Sequence, residues 1–114
     1  MIILGIDPGY AILGYGVIST EGIRSKAIDY GVIETVAHTP FPQRLEWLYS
    51  GMKELIKLYK PDHVAFEELF FARNTKTALQ VAAARGVALL SAQQAGLPLY
   101  EYTPMQIKSA VTGN

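Results

Sequence analysis

The sequence contains no cysteine, so disulfides and thiolate metal sites are excluded. It has two histidines, His38 and His63, too few for an ordinary zinc site. It has no excess charge of either sign, with ten Lys plus Arg against ten Asp plus Glu. That balance does not advertise nucleic-acid binding, yet a local patch counts for more than the sum. No apolar run reaches the ~20 residues that span a bilayer, and no basic leader precedes the first strand pattern. The expected location is the cytoplasm, with no membrane partner. What is present is a large apolar share, half of 114 residues, enough to build a core in a single domain covering 1–114.

The pattern predicts eight elements in the order βββαβαβα. Residues 2–7 form a continuous apolar run, as expected of a strand buried on both faces. Pro8–Gly9 breaks it. A second strand covers 13–19, where Gly14 and Gly16 suggest a bulge or a close backbone approach. Glu21–Gly22 signals a hairpin into a third strand over 26–35. Leu45, Leu48, Met52, Leu55, Ile56 and Tyr59 recur at helical spacing, and Lys60–Pro61 ends that helix. A short buried strand over 64–66 precedes a loop and a plausible N-cap, Asn74. An alanine-rich helix spans about 75–95, with Gly96 as its stop. A fifth strand covers 97–102. Thr103–Pro104 opens a last helix running to about 111. Short connections make the first three strands an antiparallel meander, and right-handed crossovers make strands one, four and five parallel. The predicted fold is α/β, a five-stranded mixed sheet with helices packed on it.

Asp7 and Glu67 end strands one and four at the same sheet edge, where open α/β sheets place ligands. If the strands are neighbours, their tips lie roughly 4.8 Å apart. Two carboxylates that close repel unless something neutralises them, and oxygen ligands favour Mg²⁺ or Mn²⁺. A single acid at a strand tip is ordinarily just solvated. Glu68 competes with Glu67, since alternation sends the two to opposite sides.

The element order, with these acids, resembles the ribonuclease H-like fold. Gly5–Ile6–Asp7–Pro8–Gly9 followed by Gly14–Tyr15–Gly16–Val17–Ile18 is similar to the opening of the RuvC family of Holliday-junction resolvases. So are Ala65–Phe66–Glu67–Glu68–Leu69–Phe70, Ala84–Arg85–Gly86–Val87 and Tyr100–Glu101–Tyr102–Thr103–Pro104, with Gln106 and Lys108. The resemblance selects Glu67 over Glu68. It implies that Asp7 and Glu67 hold Mg²⁺ (Mn²⁺ may substitute) and catalyse phosphodiester hydrolysis. It implies an aromatic at Phe70 stacking on junction bases, and DNA contact by Lys108. Arg73 and Lys76, near a helix N-terminus, suit phosphate. The implied partners are four-way junction DNA, a second copy of the chain and a branch-migration helicase complex. RuvC proteins continue past Thr112–Gly113–Asn114 into a final helix with further acidic ligands. No Asp or Glu follows Glu101 here, so the resemblance implies a domain incomplete at its C-terminus, missing that last helix.

Three rival readings use the same residues. A junction-binding module without catalysis needs the basic groups but not the acids. An actin-like or sugar-kinase ATPase shares the fold and the Asp–x–Gly turn, but needs a second domain. A RuvC-like nuclease acting on RNA is the third.

Overall fold

The computed structural model describes residues 1–9, 12–67 and 75–102, the side chains of 75, 76 and 102 excepted. The elements are β1 (Ile2–Pro8), β2 (Ile12–Glu21), β3 (Arg24–Glu34), α1 (Phe41–Tyr59), β4 (His63–Glu67), α2 (Thr75–Gln94) and β5 (Leu99–Tyr102). The expected helix after residue 103 lies outside the described residues.

The five strands form one sheet in the order β3-β2-β1-β4-β5. β1–β2 and β2–β3 pair antiparallel, while β1–β4 and β4–β5 pair parallel, as the connection lengths predict. Strand β5 begins at Leu99, two residues later than the apolar pattern suggests. Leu97 instead closes α2, its N–H donating to the Ala92 carbonyl at 3.1 Å while Gly96 takes φ 73°. That pair of features is a Schellman ending, and Pro98 next to it has no N–H to give a ladder.

One sheet face is covered by the two helices. Leu4, Ile6, Leu13, Val17, Val64 and Phe66 supply the sheet side of that core. Leu48, Met52 and Leu55 on α1, and Ala84, Ala88 and Ala92 on α2, supply the helix side. The alanines recur every four residues, so α2 presents only methyl groups inward and sits close to the sheet. Two polar contacts fix α1 over β3. Arg44, buried at its first turn, donates from Nε to Thr35 Oγ1 at 2.9 Å. Near its end, the Tyr59 hydroxyl donates to Asp29, whose carboxylate pushes the phenol pKa up to about 12.

Phe66 is fully buried at the centre of this layer. Truncation to alanine removes a whole ring that the surrounding strands cannot collapse to fill. Phe66→Ala is expected to destabilise the fold by about 3–5 kcal/mol, read from urea unfolding midpoints.

Candidate active site

The register of the β1–β4 ladder decides where the acids fall. Ile3 pairs with His63, and each step to Ile6 with Phe66 keeps an offset of sixty residues. One step further, Asp7 stands beside Glu67. In-register neighbours on parallel strands project to the same face. Ile6 and Phe66 point into the helical core, so Asp7 and Glu67 point to the opposite face. The antiparallel side is equally defined, with Gly14 of β2 opposite Asp7. Tyr102 of β5 is in register with Glu67.

The turn that follows β1 is held by Gly9, whose N–H donates to the Ile12 carbonyl at 2.8 Å. A Cβ at Gly9 would lie 2.7 Å from that same carbonyl oxygen, so no other residue closes the turn this tightly. The Asp–Pro–Gly sequence thus ends β1 abruptly and leaves Asp7 at a fixed tip.

Asp7 is exposed and Glu67 is half-buried. The Glu67 pKa is pushed up to about 7, first by burial, then by its hydrogen bond to Asp7 and by the Asp7 charge. Below about pH 7 Glu67 therefore keeps its proton and donates it to Asp7. Two carboxylates this close cannot both ionise freely, and a cation between them would relieve the repulsion. Their donors are hard oxygens, which fits Mg²⁺ or Mn²⁺ and disfavours softer metals. Among the described residues no third His, Asp, Glu or Cys joins them to complete a metal cluster.

The remaining predicted contacts divide by position. Phe70, Arg73 and Lys108 lie outside the described residues, as does the side chain of Lys76, whose backbone is in the first turn of α2. Arg85 is tied into the fold rather than offered to a ligand. It pairs with Glu101 of β5, and its guanidinium lies 5.8 Å from the centroid of the Phe66 ring. Tyr30 of β3 is 77% exposed. The sequence suggests a bulge or a close backbone approach at Gly14. Its place beside Asp7 becomes visible only through the β1–β2 register.

A family model described as "Crossover junction endodeoxyribonuclease RuvC" matches residues 3–114. A protein of that name from Desulfitobacterium hafniense is 58% identical over 113 residues, which is 99% of this chain and 68% of that relative. The chain belongs to the RuvC family. Among solved structures, "T. thermophilus RuvC in complex with Holliday junction substrate" superposes with a TM-score of 0.83 at 34% identity, covering 96% of this chain and 68% of that one. The yeast mitochondrial Holliday junction resolvase Ydc2 shares the fold alone, with a TM-score of 0.67 at 17% identity over 95% of this chain and 52% of that one. The RuvC assignment agrees with the resemblance carried by the Gly5–Gly9 and Ala65–Phe70 segments, and with the ribonuclease H-like sheet. No helix among the described residues is long and apolar enough to cross a membrane.

Proposed function

We propose that this chain is a structure-selective DNA endonuclease that resolves Holliday junctions by metal-dependent phosphodiester hydrolysis, with Asp7 and Glu67 as catalytic metal ligands. The observation that carries the reading is the sixty-residue register, which supports a shared carboxylate site on the face away from the helices. A bound Mg²⁺ (or Mn²⁺) there would supply a hydroxide-like nucleophile at neutral pH and charge stabilisation for the leaving oxygen. Asp7, nearer the sheet centre, would hold the cation from the exposed tip. Glu67 would hold it from a partly desolvated position once its carboxyl is ionised. Phe70, Arg73, Lys76 and Lys108 are assigned to DNA contact, the ring to base stacking and the cations to phosphates. The test is Mg²⁺-dependent cutting of a four-way DNA junction but not of a linear duplex of the same sequence. Retardation of the junction without cutting would favour a pure binding module.

The same reading calls for two copies, because paired cuts need paired acid sites. Helix α2 supports this with its outward side. Leu79 is 81% exposed and Leu90 51% exposed, and a Cβ at Gly86 would meet nothing within 4 Å. These three positions recur at seven and four residues, on the face opposite the buried alanines. Each leucine buried across a two-fold axis counts twice, at roughly 1.5–3 kcal/mol apiece. Leu90→Asp is therefore expected to weaken self-association by about a hundredfold or more, seen as a monomer in sedimentation at concentrations where the parent is a dimer. The enzyme would act in the cytoplasm beside a branch-migration helicase complex.

A further inference from the structure

Glycine inside a strand is a cost, because it loses more backbone entropy than other residues and packs nothing. Several glycines here have a local reason. A Cβ at Gly31 would lie 2.7 Å from the Tyr15 hydroxyl, and one at Gly51 would lie 2.7 Å from Ile33 Cδ1. Gly22 and Gly96 take positive φ. Gly14 has no such reason. Its φ is not in the left-handed region, and the described atoms within 4 Å of a built Cβ are Asp7 O at 3.8 Å and Asp7 Cβ at 3.9 Å, ordinary contacts both. Among the described residues, an alanine methyl would fit there.

What a side chain at 14 would change is the flank of Asp7. The cross-strand row runs Glu67, Asp7, Gly14, Val32. Glu67 closes one side of Asp7. On the other side the missing side chain leaves a slot among the described residues, bounded across β2 by Val32, which is 53% exposed. Asp7 and Val32 are two strand spacings apart, roughly 9–10 Å between backbones. That is room for one phosphodiester group with its apolar sugar edge against valine.

We propose that Gly14 is a positioning residue: its lack of a side chain opens a slot between Asp7 and Val32 that receives the backbone phosphate of the strand to be cut. The proposal rests on the nuclease reading above. The slot sets how closely the strand approaches the acid pair from the β2 side. A branched side chain there holds the phosphate away without touching the Asp7–Glu67 pairing.

The experiment compares the parent with Gly14→Ala and Gly14→Val by three measurements: thermal melting, Mn²⁺ titration, and anisotropy of a fluorescent four-way DNA junction with Ca²⁺ replacing Mg²⁺. Gly14→Ala should melt at or above the parent, and both variants should bind Mn²⁺ within about twofold of it, while Gly14→Val loses about tenfold or more in junction affinity and Gly14→Ala about threefold. The alanine keeps the test open should valine perturb folding, since its methyl meets only ordinary contacts. Parental junction affinity in a well-folded Gly14→Val overturns the slot while leaving the nuclease reading intact. Mn²⁺ affinity falling in step with junction affinity overturns it too, because the side chain would then be displacing Asp7 itself. A parent chain that fails to bind junction DNA at all brings down the nuclease reading and the slot together.

Discussion

Asp7→Asn is expected to reduce Mg²⁺-dependent cutting of a four-way junction by about a thousandfold or more in a polypeptide of full family length. The substitution is nearly isosteric, so the β1 tip and its Gly9 turn should survive. It removes one of the two formal charges that attract a cation to the site. It also removes the acceptor charge that holds a proton on Glu67. Three accompanying results separate this from a folding defect. In EDTA at pH 8, above the raised Glu67 pKa, the variant should melt higher than the parent, because a like-charge pair has been relieved. Junction binding in Ca²⁺ should be kept or improved, since a negative charge facing phosphates is gone. Glu67→Gln should act in the same direction, and the double variant should be scarcely worse than either single one, because the two side chains act as a unit. Parental cutting by Asp7→Asn would sink the assignment of the acid pair.

Much of this architecture is legible before any coordinates, and for definite reasons. β1 and β4 read as continuous apolar runs because both lie inside the sheet, so their ends, and hence Asp7 and Glu67, stand out as the first charges. The crossover through α1 forces β4 parallel to β1, and parallel pairing then brings both tips to one edge. Register is harder. A one-residue slip would place Glu68 rather than Glu67 beside Asp7; the family resemblance selects Glu67, and the observed Ile6–Phe66 pairing supplies the physical reason. α2 shows the other limit. Its small residues suggest close packing, but composition alone does not say against what. The helix uses Ala84, Ala88 and Ala92 inward and leaves Leu79, Gly86 and Leu90 outward, so both the close-packed and the self-associating readings have their own residues. Gly14 was least legible, because its meaning comes from a neighbour on another strand rather than from its own surroundings.

Proton release should accompany cation binding, and its pH range follows from Glu67. The carboxyl is pushed from an ordinary 4.5 to about 7 when folded, chiefly by burial and then by Asp7. A raised acid means the folded chain binds more protons than the unfolded one between those two values. In EDTA, stability from this group is therefore greatest below about pH 4.5 and is lost as pH rises toward 7. A cation competes with that retained proton, so Mn²⁺ affinity should fall as pH drops through 7, approaching about tenfold per pH unit well below 7, and level off above it. Titrations at pH 6, 7 and 8 check this directly, with about fivefold expected between the first pair and about twofold between the second. Glu67→Gln binds more weakly throughout, and its pH dependence over this range should disappear, since the group that titrates is gone. The melting temperature of the parent in EDTA should decline from pH 5 to 7.5 relative to Glu67→Gln, a difference that cancels groups common to both. Added Mg²⁺ should recover the loss at pH 7.5, because the cation supplies the positive charge that the departing proton had provided. A parent whose Mn²⁺ affinity is the same at pH 6 and pH 8 would show that the two carboxylates do not share a site.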